Sequence, residues 1–226
     1  MMTFQRARTV EQRERRRRSI LDAAAQMLTE MPVAELSLNE LSRRVGLAKS
    51  NVLRYFVSRE AVLLSLLVQE TDAFVGALTE RLAEPADRRR SPVKRGESLA
   101  QVVAQDLAQR PLLCELTSVQ ASVLERNIST EVAYQFKHST LEHLGRFAGL
   151  VHRQLPELDE EACEELVGHL SLQIGAVWAM SRPSPALATA YREHPELARH
   201  AMDFTGTLQR LMGDLVAGSL VRAGAL

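Results

Sequence analysis

Ser37–Leu63 reads SLNELSRRVGLAKSNVLRYFVSREAVL, and local signals alone lay three helical stretches onto it. Ser37 stands three positions before Glu40, the spacing of a capping box that satisfies two orphan backbone donors at a helix start. Leu38, Leu41 and Val45 then fall on one face, and Gly46 is placed to close the helix in the left-handed conformation. Leu47 turns the chain into the core. A second stretch, Ala48–Phe56, points Val52 and Phe56 inward and leaves Lys49, Ser50, Asn51, Arg54 and Tyr55 outward. Ser58 caps the next helix, with Glu60 in its first turn where the helix dipole favours a negative charge. That helix is expected to reach about Ala83. Upstream, Ile20, Ala23, Ala24, Met27 and Leu28 recur at helical spacing. They predict a helix over Val10–Glu30 that Met31-Pro32 ends, with residues 1–10 disordered.

The outward set on Ala48–Phe56 has the chemistry of a helix laid in the major groove of DNA. Asn51 suits a two-bond contact to adenine, and Arg54 or Lys49 a contact to guanine or phosphate. Ser50 is small enough to let the helix approach closely, and Tyr55 can reach a phosphate oxygen. Arg13, Arg15, Arg16, Arg17 and Arg18 precede the first core positions, with Arg6 and Arg8 further upstream. Such an arm can lie along phosphates or enter a narrow minor groove. The alternative for the arm is a solvated face paired with Glu11 and Glu14. Charge is distributed accordingly. The 226-residue chain carries 28 basic and 28 acidic residues, but residues 1–60 hold 12 basic against 7 acidic. A basic head on an acidic body fits polyanion binding by the head alone.

Residues Ile20–Leu64 resemble the DNA-binding domain of the TetR family of transcriptional regulators. Ile20-Leu21-Asp22-Ala23-Ala24, Ser37, Leu41, Val45-Gly46-Leu47, Lys49-Ser50, Leu53-Arg54-Tyr55-Phe56 and Ser58-Arg59-Glu60-Ala61 carry the resemblance. It implies an all-α fold, with a DNA-binding domain over 1–64 and a helical ligand-binding and dimerisation domain over 65–226. It further implies a homodimeric repressor that a small molecule releases from a palindromic double-stranded operator. An activator or global regulator on the same scaffold, or a helical ligand-binding protein that has lost DNA recognition, are the alternatives. The DNA-binding set expected is Arg17, Arg18, Ser37, Lys49, Ser50, Asn51, Arg54, Tyr55 and Arg59. Three positions depart from the family pattern. Ala48 stands where the family has a capping serine or threonine, at a cost of about 1 kcal/mol. Leu53 replaces an aromatic residue that often touches phosphate. Arg59 replaces a lysine, and its charge is expected to keep that lysine's phosphate contact.

The rest of the chain is helical in texture, with helices expected near 97–109, 111–126, 130–154, 159–181 and 195–220. A short helical turn is expected near 186–192, and residues 84–96, EPADRRRSPVKRG, read as a solvated loop. Thr130 and Asp159 are expected as N-caps, with Pro195 opening the last helix. Leu166, Leu170 and Ile174 with Phe204, Leu208, Leu211 and Leu215 are the expected dimer seam. The pairs Gly168/Gly175 and Gly206/Gly213, seven apart, would allow close crossing there. Gln120, Phe136, Phe147, Gln173, Val177 and Trp178 are the expected contacts of an apolar effector.

Enzyme chemistry lacks its parts: no phosphate loop, no nucleophile elbow and no histidine pair at metal spacing. No cofactor and no metal is implied. Cys114 and Cys163 read as free thiols. No apolar run reaches membrane-spanning length, so no membrane partner and a cytoplasmic location are expected.

Overall fold

The computed structural model describes residues 2–225, with side chains described from Glu11 onward. The expectation for Met1 and the side chains of Arg6 and Arg8 lie outside the described residues. Eleven α-helices account for the fold, and no strand occurs among the described residues. They are α1 (Met2–Glu30), α2 (Leu38–Arg44), α3 (Lys49–Leu53), α4 (Arg59–Arg81), α5 (Pro92–Ala108) and α6 (Pro111–Val119). A π-type turn follows over Gln120–Leu124, then α7 (Thr130–Gln154), α8 (Glu160–Met180), α9 (Pro185–Glu193), α10 (Pro195–Ala198) and α11 (Phe204–Arg222). Two compact units emerge: residues 1–69 with 120–136, and residues 70–119 with 137–226. The first unit therefore extends past the expected boundary at residue 64 and takes in a second segment.

In the first unit α1 packs on α2, and α2 on α3. Ile20, Ala24, Met27, Leu41, Val52, Val62, Leu63 and Leu66 are fully buried there. The helix α1 begins at Met2 rather than Val10, since no proline or glycine interrupts the stretch before it. It ends before Pro32, with a short 3₁₀ turn over Val33–Glu35 following. Ser37 caps α2 by accepting from the Glu40 N–H at 3.2 Å. The reciprocal half of the expected capping box is absent, because the Glu40 carboxylate pairs with Arg43 at 3.0 Å instead. Gly46 adopts φ +65°, the left-handed turn that a side chain would strain. Ser58 caps α4, accepting from the Ala61 N–H at 3.1 Å.

In the second unit α11 lies along α5, while α8 packs on both α6 and α11. Leu99, Val103, Leu107, Leu116, Val167, Leu170, Leu208, Met212 and Leu220 form its core. Two glycines mark close crossings. A Cβ on Gly96 would sit 2.4 Å from Val216 Cγ1, and one on Gly175 would sit 2.9 Å from Ser118 Cα. The seven-residue glycine spacing thus serves different ends: Gly175 admits α6, Gly206 donates its N–H to the Asp203 cap at 2.6 Å, and Gly168 and Gly213 face open space.

Several boundaries differ from expectation. Ser91 caps α5, so the helix starts at Pro92, inside the expected loop. Arg95 of that stretch is 3% exposed, donating to the Gln154 carbonyl at 2.8 Å and to Glu157 at 2.5 Å. Ser129, not Thr130, caps α7, accepting from the Val132 N–H. The last long helix begins at Phe204 because Asp203 caps it, leaving Leu197 on the separate α10. Asp159 caps α8 as expected, accepting from the Ala162 N–H at 2.9 Å. The 23-residue α4 is long and apolar enough, by length and composition, to cross a membrane, although Glu70 and Asp72 interrupt its apolar run. Half of its apolar window is buried in the protein, as in a core helix. Cys114 and Cys163 are free and fully buried, and desolvation raises their thiols to about 12 and about 11.

Candidate nucleic-acid interface

The helix α3 is short, and Ala48 at its N-cap gives it no side-chain cap, as the missing hydroxyl predicts. Its last turn continues through Arg54, whose backbone is helical, with Tyr55 and Phe56 N–H groups donating to the Val52 carbonyl at 2.9 and 3.0 Å. Val52 and Phe56 are 0% and 2% exposed and pin the helix to the core. Lys49, Ser50, Asn51 and Arg54 are all exposed, and Tyr55 is half-buried. Between Val45 and Ser58 the sequence carries no carboxylate.

A concavity of about 1090 Å³ joins this helix to α1. Gln12, Arg13, Arg15, Arg16 and Ser19 line it from α1, and Leu47, Asn51, Arg54 and Tyr55 from the helix-turn-helix. Arg15 is held by Glu11 at 2.6 Å. Arg13, Arg16 and Arg18 are exposed and form no ion pair among the described residues. The structure thus brings Asn51, Arg54 and Tyr55 together with a cationic helix face. That face includes Arg13 and Arg16, and adds Gln12, Ser19 and Leu47, which sequence reasoning did not select.

Two expected contacts are placed otherwise. Arg17 turns inward: it donates to Ser65 Oγ at 2.9 Å and to the Tyr55 carbonyl at 3.3 Å, and lies 4.4 Å from the centre of the Phe56 ring. Desolvation there lowers its pKa, with Glu14 opposing the shift. Arg59 is also committed internally. It donates to the Leu36 carbonyl at 2.6 Å and to the Val33 carbonyl, and pairs with Glu60 at 3.3 Å. A guanidinium suits this double-carbonyl clamp better than the single ammonium of the expected lysine. Ser37 caps α2 as an acceptor, and its side chain stays exposed.

The expected effector residues are divided. Gln120 and Phe136 belong to the first unit, and Phe147, Gln173, Val177 and Trp178 to the second. Gln120 donates to Glu125 at 2.7 Å. Phe147 stacks edge-on with Phe74 at 5.7 Å, and Trp178 donates from its indole N–H to Glu115 at 2.8 Å. Neither the concavity nor a smaller 250 Å³ pocket, lined by Gly145, Ala148, Gly149, His152, Glu160 and Glu164, is lined by any of the six. His143 Nδ1 and Gln173 Oε1 are buried without a hydrogen-bond partner.

The expected seam is corrected as well. Leu166, Leu170, Ile174, Phe204 and Leu208 are buried within the protomer, at 9% exposure or less. Leu211 and Leu215 are half-buried. The outward side of α8 instead carries Leu172, Ala176 and Met180, with Leu172 78% and Met180 62% exposed. A wide apolar stripe read from sequence does not say which edge the protomer's own core takes.

Comparison with known proteins places both units in one context. Residues 20–66 match the family model "Bacterial regulatory proteins, tetR family", and residues 68–223 match "Tetracyclin repressor-like, C-terminal domain". The HTH-type transcriptional regulator EthR of Mycobacterium tuberculosis is 35% identical over 69 residues, covering 30% of this chain and 32% of that protein. The chain thus matches about a third of the length of its curated relatives. The fatty acid degradation regulator FadR from Bacillus halodurans shares the fold with a TM-score of 0.57 at 19% identity, over 91% of this chain and 96% of that one. FadR from Bacillus subtilis, solved in complex with stearoyl-CoA, gives 0.52 at 15% identity, over 87% and 95%.

Proposed function

Because the chain belongs to the tetR family of bacterial regulatory proteins, we propose that it is a sequence-specific DNA-binding regulator, a homodimeric repressor released by a small apolar effector. The observation that carries the DNA reading is the concavity in which Asn51, Arg54 and Tyr55 meet the α1 arginines. Asn51 and Arg54 read base edges, Lys49 and Tyr55 hold the strand beside them, and Arg13 and Arg16 neutralise phosphates. Arg18, exposed on the same helix, adds sequence-independent charge.

A helix-turn-helix reads a palindrome as a dimer, with recognition helices about 34 Å apart or a multiple of that. The outward stripe Leu172, Ala176 and Met180 of α8, with Leu211 and Leu215 of α11, is the proposed seam. Gly168, one turn before Leu172 on the same face, leaves room there for a partner helix. For the effector, Phe147, Val177 and Trp178 offer buried apolar surface. The orphan acceptor Gln173 Oε1 and the orphan His143 Nδ1 favour a ligand that brings a hydrogen-bond donor. The stearoyl-CoA bound by Bacillus subtilis FadR is one example of a largely apolar ligand on this fold. Binding favours a dimer geometry that no longer fits the operator.

Gel shifts on the DNA upstream of the protein's own coding region test the DNA reading. Asn51→Ala and Arg54→Ala each remove a base contact worth about 1–3 kcal/mol from each half-site, and so weaken specific binding by roughly 5- to 150-fold per half-site. Unchanged affinity in both variants would refute the assignment.

A further inference from the structure

Leu53 and Val57 are the large apolar side chains exposed between Ser37 and Leu63, at 38% and 66%. A single exposed apolar residue needs no explanation. The position of this pair does ask for one. With Val52 at the centre of the buried side of α3, Ser50 and Arg54 lie farthest from the core, at about 100° per residue. Asn51 and Tyr55 fall on the flank that lines the concavity with α1, whereas Lys49 and Leu53 fall on the other flank. The two flanks therefore offer DNA different chemistry. One presents an amide, a phenol and arginines. The other presents one ammonium and the isobutyl group of Leu53, and Val57 is exposed in the bend beyond α3.

Leu53 has no donor for a phosphate oxygen, so the contact an aromatic hydroxyl makes at that position is lost here. Against a polyanion, an apolar side chain is placed well only beside the apolar parts of the duplex. In the major groove the one such group that varies with sequence is the 5-methyl of thymine. No carboxylate lies within Val45–Ser58 to keep the duplex away, and Lys49 on the same flank draws the strand in. We propose that Leu53, extended by Val57, is a specificity determinant that packs on a thymine 5-methyl in each half-site. This rests on the DNA-reading assignment above and adds to it a base preference that no polar residue of α3 supplies.

Replacing thymine by uracil removes only that methyl, which makes the test clean. Duplexes are selected from a random pool with the purified full-length protein, and each thymine of the selected site is then changed to uracil singly. The expected result is one or two positions per half-site where affinity falls about three- to fourfold, the worth of one buried methyl. Leu53→Ala binds the thymine duplex more weakly by a similar factor and no longer distinguishes thymine from uracil there. Val57→Ala narrows the same discrimination. Both residues are exposed, and unchanged melting temperatures confirm that the variants fold. A selected site whose affinity is indifferent to uracil at every position overturns the proposal while leaving DNA reading intact. So does a Leu53→Ala protein that keeps the wild-type sensitivity. A selection that yields no consensus overturns the DNA-reading assignment and this proposal with it.

Discussion

Arg16 and Arg17 are neighbours on α1, yet the structure gives them opposite jobs, and paired substitutions to methionine separate them. Arg17 makes one hydrogen bond of 2.9 Å to Ser65 Oγ, a longer one of 3.3 Å to the Tyr55 carbonyl, and a stacking contact 4.4 Å from the Phe56 ring centre. A hydrogen bond from a charged donor contributes about 1.5 kcal/mol, and the longer bond about half as much. The stacking contact adds about 0.5–1 kcal/mol. Partial exposure screens these interactions, which leaves about 2 kcal/mol for Arg17→Met in urea denaturation. Methionine keeps most of the alkyl packing, so the loss reports the guanidinium. Arg16→Met, on an exposed side chain, stays within about 0.5 kcal/mol of wild type. DNA affinity against salt reverses the order. Arg16→Met, which removes one phosphate contact from each protomer of the dimer, flattens the slope of log K against log salt by about 2, and Arg17→Met leaves it unchanged. An Arg17→Met protein of wild-type stability with a reduced salt slope would refute the inward assignment.

Two further outcomes follow from the second unit. Leu172→Glu combined with Met180→Glu places charge on the outward stripe of α8 without touching the core, and gives monomers in sedimentation; a stable dimer would reject that seam. The Arg95 guanidinium holds the Glu157 carboxyl below its ordinary value of 4.5. A carboxyl with a lowered folded-state pKa stabilises fully above about 4.5, and that contribution is lost as pH falls through the lower folded value. Glu157→Gln is therefore less stable than wild type at pH 7, and the gap closes in acid; a gap that is constant from pH 7 to pH 3 would contradict the pairing.

What could be read in the sequence was local. The caps at Ser37, Ser58 and Asp159, the left-handed Gly46 and the stop before Pro32 act over three or four residues, and all stand where expected. The outward side of Lys49–Arg54 follows from helical periodicity once Val52 and Phe56 are assigned to the core. Arg17, Arg59 and Arg95 were not legible, because their partners are carbonyls and side chains 23 to 62 residues away. A sequence shows an arginine's charge but not whether a distant carbonyl points at it. The division of α8 between core and open face failed for a related reason. Leu166 and Leu172 are equally apolar, and only the packing of α6 and α11 decides that one is buried and the other exposed. Asp203 caps α11 by accepting from the Gly206 N–H, inside the stretch 195–220 expected as one helix.

The clamp at Arg59 also bears on motion. One guanidinium ties the first turn of α4 to two carbonyls of the connector that leads into α2, at Val33 and Leu36. Arg17 ties α1 to Ser65 of α4 and to the Tyr55 carbonyl just beyond α3. The same unit is thus stitched at both ends by cations that bond backbone. A push on the start of α4 cannot slide it past its neighbours without breaking those bonds, so the load is carried to α3 as displacement of a stiff block. A displacement imposed on the start of α4 is therefore expected to move α3 with it.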